Sequence, residues 1–163
     1  MPYAIRSYQD DDMSFLWDML YQSIYIPDGQ AQPEREILDD PAIAKYLVHW
    51  GQDTDTALIA VDAHGTRLGA IWMRVWQGAD HGWGYVDNAT PEVGMAVRAE
   101  YRGQGLGGQL LRAIAAHAQQ AGFSALSLSV DPQNEVALRL YQHHGYQFVF
   151  EDTGGSWTMK KVL

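Results

Sequence analysis

The chain contains no cysteine, which excludes a disulfide framework, a thiolate metal site and a cysteine nucleophile. No apolar run approaches the roughly eighteen residues of a membrane helix, so we predict no membrane partner. Basic residues are also scarce, since 11 Lys and Arg against 20 Asp and Glu give a net charge of −9. Nucleic-acid binding needs a basic face, so this balance argues against a nucleic-acid partner. The lack of cysteine makes a reducing, cytoplasmic setting the expected localisation.

Metal-ligand spacing and a serine-nucleophile motif are missing as well. His143 and His144 are adjacent and point apart, and His117 stands alone on a predicted helix. Ser127 and Ser129 alternate along a predicted strand without the Gly-x-Ser-x-Gly turn of serine hydrolases. We therefore predict no bound metal and no serine-based catalysis.

What the chain does have is the composition of an ordinary globular domain. Of its 163 residues, 47% are hydrophobic and 19% are charged. A chain of this length buries about two-thirds of its unfolded surface as one unit. We expect residues 1–163 to form a single domain.

The order of the predicted elements indicates an α/β (α+β) fold with a mixed sheet and helices on both faces. Apolar residues alternate in the predicted strands and recur every three or four residues in the predicted helices. The predicted strands are 4–8, 56–62, 67–76, 92–97, 125–130, 146–150 and 156–160, and the predicted helices are 10–24, 33–50 with a break at Pro41, and 109–121.

The most informative segment joins a predicted strand to a predicted helix and reads Arg102-Gly103-Gln104-Gly105-Leu106-Gly107-Gly108. Glycines without Cβ atoms and the unpaired N–H groups of a helix start favour a phosphate or diphosphate ligand. No Lys-Ser or Lys-Thr follows, so the segment is not a P-loop. The alternating glycines also lack the Gly-x-Gly-x-x-Gly spacing of dinucleotide-binding folds.

Two motifs give this sequence a resemblance to the GNAT acetyltransferase superfamily. Arg102, Gly105 and Gly107 occupy the places of its Gln/Arg-x-x-Gly-x-Gly/Ala signature. The later run from Asn134 to Tyr141, followed by Gly-Tyr, is similar to the family pattern Asn-x-x-Ala-x-x-Leu-Tyr with Gly-Phe/Tyr after it. The motifs occur in the family order, separated by a predicted strand.

The resemblance implies a fold and a donor substrate. The family has a mostly antiparallel sheet of six to seven strands, in which two central parallel strands splay apart. Here those strands would be 92–97 and 126–130. The donor would be acetyl-CoA, bound in the gap between them.

The resemblance also implies cofactor-binding residues. Backbone groups of Met95, Ala96 and Val97 would take the pantetheine arm. Asn134 would contact the same arm, and its side chain can also cap the following helix. The diphosphate would lie on the glycine turn, which consists of Arg102, Gly103, Gln104, Gly105, Leu106, Gly107 and Gly108.

Two residues are candidates for proton transfer. Glu92, at the start of a predicted strand, is the candidate general base, with Asp87 and Tyr85 as competitors and a solvated strand edge as the alternative. Tyr141 would contact the cofactor and donate a proton to the departing thiolate, because a phenol with an ordinary pKa near 10 is protonated at neutral pH. The alternative for Tyr141 is a ring that covers the sheet edge.

The sequence therefore predicts an N-acetyltransferase that moves an acetyl group from acetyl-CoA to a primary amine. The resemblance implies direct attack in a ternary complex, an amine on a small molecule or peptide, and a homodimer. The acceptor should lie by the early helices and residues 77–90, where Trp72, Trp76 and Trp83 can line a pocket or belong to the core. The alternative is a catalytically silent acyl-CoA-binding sensor or interaction domain.

Overall fold

The computed structural model describes residues 3–163, which form one mixed seven-stranded sheet. The first two residues of the predicted domain lie outside the described part. Across the sheet β4 runs parallel to β5, and every other described pair of neighbours is antiparallel. This confirms the predicted fold. In sheet order the strands are β1 (Ala4–Ser7), β2 (Thr56–Val61), β3 (Arg67–Arg74), β4 (Glu92–Val97), β5 (Ala125–Val130), β7 (Trp157–Val162) and β6 (Gln147–Glu151).

Helices cover both faces of the sheet, as predicted. They are α1 (Met13–Gln22), α2 (Pro41–Ala44), α3 (Leu106–Gln120) and α4 (Glu135–His143). The α3 face buries side chains of α3 against Leu68, Ile71 and Leu126, and α4 packs at its border. The opposite face, called here the α1 face, buries α1 and the segment after α2 against Ile59 and Trp72. The sheet therefore separates two hydrophobic layers.

The α3 helix follows the apolar spacing of its sequence. Leu110, Leu111, Ile114 and Ala118 recur at three- and four-residue intervals, and all of them are buried. The helix begins three residues before the predicted start, directly after the left-handed residue Gly105. The second half of the glycine turn thus belongs to the helix.

The predicted helical region 33–50 is shorter than expected. It contains a 3-10 turn at Arg35–Asp39 and the single turn α2, and the chain then continues in hydrogen-bonded turns. Asp40 caps α2 by accepting a hydrogen bond from the N–H of Ala42 at 2.9 Å. Beyond the end of α2, the carbonyls of Lys45 and Val48 accept hydrogen bonds from Arg74, each at 2.7 Å.

A buried ion pair fixes this segment to the sheet. Arg74, at the end of β3, donates from Nε and Nη2 to the two carboxylate oxygens of Asp55, at 3.0 and 2.9 Å. Both side chains are at most 5% exposed. The same guanidinium holds the turn that carries Tyr46 into the α1 face. The pair therefore positions a residue that proves important for the candidate site.

We expect Asp55→Ala to destabilise the fold by about 3–5 kcal/mol, because it leaves a buried guanidinium without its partner. Asp18→Ala is the matched control, since its partner Arg35 lies at 2.6 Å but both side chains are about half exposed. The control should lower the free energy of unfolding by less than about 1 kcal/mol. Urea unfolding measures both changes, and equal losses would contradict this role for the buried pair.

Candidate active site and cofactor cleft

The central strands separate almost as soon as they meet. Their register contains one described pair, Glu92 with Ser127, and the N–H of Ser127 donates to the carbonyl of Pro91 at 3.0 Å. Beyond that point β4 remains paired with β3 through Met95 and Ala96. Because alternate backbone groups of a strand point to opposite sides, the β5-facing groups of 93–97 are left for another partner.

The turn after β4 leaves a helix N-terminus open. Gly103 and Gly105 have φ of 76° and 84°, a left-handed conformation that favours glycine, and no atom lies within 4 Å of a Cβ placed on either one. Among residues 3–163, no side chain caps the first turn of α3. Its outward N–H groups and the helix dipole therefore form a site suited to an anion such as a diphosphate.

The last two glycines of the turn have a packing role. A Cβ on Gly107 would lie 3.2 Å from Leu140 Cδ2 and 3.5 Å from Met95 Cε. A Cβ on Gly108 would lie 3.0 Å from Nε2 of His144. These glycines let α3 approach β4, α4 and the residue that follows α4 closely.

The remaining residues of the turn are tied to the fold. Arg102 donates from Nε to the carbonyl of Val97 at 2.9 Å, while its side chain stays on the exposed side of the turn. The side-chain oxygen of Gln104 accepts a hydrogen bond from the hydroxyl of Tyr3. Leu106 is 1% exposed and belongs to the core. Arg102 thus places a positive charge beside the open helix end, and Leu106 anchors that end.

Asn134 immediately precedes α4 as its N-cap, and Tyr141 lies on α4, on the α3 face. The Oδ1 atom of Asn134 accepts a hydrogen bond from the N–H of Ala137 at 3.3 Å, which confirms the predicted cap. Tyr141 packs against the α3-face core and is partly buried. Burial raises the pKa of its phenol to about 12, so the hydroxyl keeps its proton at neutral pH.

Glu92 projects to the α1 face and is only 3% exposed, so it is not a solvated edge residue. Its carboxylate accepts hydrogen bonds from Tyr46 Oη at 2.6 Å and Trp76 Nε1 at 2.9 Å. Burial raises the pKa of Glu92 to about 7, although these two donors, the N–H of Gly84 and the charge of Lys45 favour the ionised form. The carboxyl can therefore exchange a proton near neutral pH.

The loop before β4 covers this carboxyl. The N–H of Trp83 donates to Tyr46 Oη at 2.9 Å, and its carbonyl accepts from Thr158 Oγ1 at 3.0 Å. A Cβ on Gly84 would lie 2.5 Å from the carbonyl carbon of Leu128 and 2.9 Å from Glu92 Cδ. The loop thus lies across the place where β4 leaves β5.

Asp87 and Tyr85, the other two candidates for the general base, form hydrogen bonds with residues other than Glu92. Asp87 accepts hydrogen bonds from the N–H of Ala89 and the hydroxyl of Thr90, which hold its pKa below the ordinary value. The Tyr85 hydroxyl donates to the side chain of Asn88 at 2.7 Å. Neither group shares the buried position of Glu92.

Sequence reasoning missed the partners of Glu92. Tyr46 belongs to no sequence motif. It reaches Glu92 from a turn that Arg74 holds against the sheet through the carbonyl of Lys45. Trp76 is 5% exposed and donates to Glu92, while Trp83 is half exposed. The visible signal was the glycine content of residues 77–90, which allows the loop to lie close to the carboxyl.

The structure also bears on two other kinds of site. Within residues 3–163, no helix has the length and apolar character needed to cross a bilayer. In the same described part of the chain, no group of three or more His, Cys, Asp or Glu residues could hold a metal ion.

Comparison with known proteins gives a family and a fold. The model of the Acetyltransferase (GNAT) family matches residues 16–146. The mycothiol acetyltransferase of Paenarthrobacter aurescens is 39% identical over 98 residues, which are 58% of this chain and 28% of that protein. The chain thus matches about three-tenths of the length of such curated relatives.

Two solved structures share the whole fold at low identity. A GCN5-related N-acetyltransferase from Kribbella flavida superposes with a TM-score of 0.69 at 22% identity, over 99% of this chain and 98% of that one. A GNAT-family acetyltransferase from Streptococcus pneumoniae gives a TM-score of 0.70 at 21% identity, with 99% of both chains covered. Because the family model spans most of the chain, the protein belongs to the GNAT acetyltransferase family, whose members use acetyl-CoA as the acyl donor.

Proposed function

We propose that the protein transfers an acetyl group from acetyl-CoA to a primary amine, by direct attack while both substrates are bound. One observation carries the proposal: a buried carboxyl, Glu92, lies on the α1 face where the central strands separate, and a protonated phenol, Tyr141, lies on the α3 face. An amine can thus lose its proton on one side of the sheet while a thiol gains one on the other.

The residues of the cleft fit the donor. The open N-terminus of α3 and the positive charge of Arg102 suit the diphosphate. The β5-facing backbone groups of Met95 and the N–H of Val97, with the side-chain amide of Asn134, suit the amide-rich pantetheine arm. The backbone groups of Ala96 face Ala70 of β3 instead, and the carbonyl of Val97 accepts from Arg102. When bound, acetyl-CoA supplies a thioester whose carbonyl carbon accepts the amine nitrogen.

The chain's own groups then move two protons. Glu92 takes one proton from the attacking amine, as its pKa of about 7 permits at neutral pH. The new C–N bond forms as the C–S bond breaks, and Tyr141 Oη gives its proton to the departing sulfur. The absence of cysteine agrees with transfer that forms no cysteine acyl-enzyme. The cytoplasmic setting and the homodimer stay predictions.

Gly105→Glu should lower the affinity for coenzyme A by about 100-fold, because it strains the left-handed turn and sets a negative charge at the phosphate site. Gly122→Glu is the matched control, since Gly122 has φ of +92° and equally open space at the other end of α3. Titration calorimetry with coenzyme A measures both variants. Unchanged affinity of Gly105→Glu would show that the diphosphate binds elsewhere.

Acetyl transfer should rise with pH around a midpoint of about 7, because the base acts only when deprotonated. Glu92→Gln should lower kcat about 100-fold and remove this midpoint. Tyr46→Phe should move the midpoint upward, since the lost hydrogen bond stabilises the carboxylate. Steady-state rates between pH 5.5 and 9 test this, and a midpoint that persists in Glu92→Gln would assign the base to another group.

Tyr141→Phe should lower kcat by about 100-fold with little change in coenzyme A affinity, because it removes the donated proton. Tyr146→Phe is the control, since that ring lies 6.0 Å away and its buried hydroxyl has no partner in the described residues. Release of CoA from acetyl-CoA is measured with a panel of amines. If the wild type binds coenzyme A but releases no CoA from acetyl-CoA with any amine, the protein is a catalytically silent acyl-CoA binder and not an enzyme.

A further inference from the structure

A cavity of about 320 Å³ lies on the α1 face next to the candidate base. The loop before β4 supplies one side and the end of β6 with the following turn supplies the other. Its volume is at the small end of the range for small-molecule sites. Its main lining residues are His81, Gly82, Trp83, Tyr85, Phe150 and Asp152.

Only a glycine separates this cavity from the carboxyl of Glu92. Gly82 lines the cavity, and a Cβ placed on it would collide with Glu92 Oε1 and with Tyr46 Oη. The cavity and the carboxyl thus lie on opposite sides of one backbone segment. A ligand in the cavity would reach Glu92 only if the segment 82–84 moved, which breaks the hydrogen bonds of Trp83 to Tyr46 and Thr158.

The walls of the cavity are flat and aromatic. Trp83 is 50% exposed and Phe150 is 43% exposed, which is unusual for such large apolar side chains side by side on one small site. The rings of His81 and Tyr85 stack at 3.8 Å between centroids with an interplanar angle of 12°. Such surfaces favour a ligand that has a flat apolar body.

The charge of the cavity favours a cation. Lys45 is neutralised by Asp80, since its Nζ donates to Asp80 Oδ1 at 2.8 Å and also to the carbonyl of His81. Asp152 accepts from the N–H groups of Gly154 and Ser156 through Oδ1, and no hydrogen bond within the described residues reaches its Oδ2. One carboxylate therefore remains uncompensated beside rings whose faces attract cations.

We propose that this cavity recognises the acceptor and that the acceptor is a small aromatic amine, protonated in solution. Trp83 and Phe150 contact its ring, and Asp152 attracts its ammonium group. The segment 82–84 then withdraws, and the ammonium group loses one proton to water. The neutral amine passes to Glu92, which takes the second proton as the nitrogen attacks. This inference rests on the proposed acetyl transfer and adds the class of substrate.

Binding is tested with the full chain and without a donor. Phenethylamine and tryptamine are the probes, and spermidine and glucosamine are the amines that lack an aromatic ring. Calorimetry should show that the protein binds phenethylamine and tryptamine with at least about 10-fold higher affinity than spermidine and glucosamine. Phenethylamine should also change the tryptophan fluorescence, because Trp83 is the half-exposed indole of the cavity. Equal affinities for all four amines would overturn the proposal.

Variants locate the site. Trp83→Ala should lower phenethylamine affinity about 10-fold and remove the fluorescence change, whereas Trp83→Phe should retain most of the affinity. Phe150→Ala should weaken binding, and Phe148→Ala is the control, because Phe148 lies on the same strand, is 52% exposed and packs on Trp157 outside the cavity. Unchanged binding in Trp83→Ala and Phe150→Ala would overturn the assignment.

A further variant tests the charge. Asp152→Asn keeps an oxygen for the turn but removes the negative charge. It should lower the affinity for phenethylamine several-fold and leave the affinity for the neutral 2-phenylethanol unchanged. An equal effect on both ligands would contradict a role for the charge.

The two proposals fail separately. Turnover with spermidine or glucosamine, together with no preference for aromatic amines, would overturn the acceptor class and leave acetyl transfer standing. Tight binding of aromatic amines without release of CoA on any amine would preserve the cavity assignment and overturn the enzymatic function.

Discussion

The single pairing between β4 and β5 is the constraint on which the rest of the candidate site depends. Glu92 meets Ser127, and the strands then part, so the middle of the sheet has a gap instead of a hydrogen-bonded ladder. Backbone groups beside this gap need other partners. In the proposed reaction, a carboxyl on one face of the sheet and a phenol on the other act on substrates that meet at this gap.

The position of Glu92 at this junction explains its chemistry. Desolvation under the loop raises its pKa, and the hydrogen bonds of Tyr46 and Trp76 limit that rise to about 7. The loop that buries the carboxyl also forms a wall of the aromatic cavity. In the two proposals, burial of the base and recognition of the acceptor therefore both depend on one loop conformation.

Much of the fold was predictable because its signals are local. The α3 spacing and the Asn134 cap depend on residues within a few positions of each other. The sequence predicted more helix in the region 33–50 than the structure contains. Carbonyls of this region accept hydrogen bonds from a guanidinium on β3, which is distant in the sequence. Only Gly103 and Gly105 of the glycine run have a left-handed conformation, while Gly107 and Gly108 permit close helix packing.

The sequence by itself determined the order of the elements, the glycine turn before α3 and the resemblance to GNAT acetyltransferases, since each rests on short-range spacing. It also provided Glu92 as a candidate, but not its environment. Only the tertiary structure decided that Tyr46 and Trp76 hold that carboxyl and that Trp83 and Phe150 flank one cavity. The reason is physical: burial, pKa and cavity shape arise where distant segments pack together, and no local pattern encodes which distant side chains will meet.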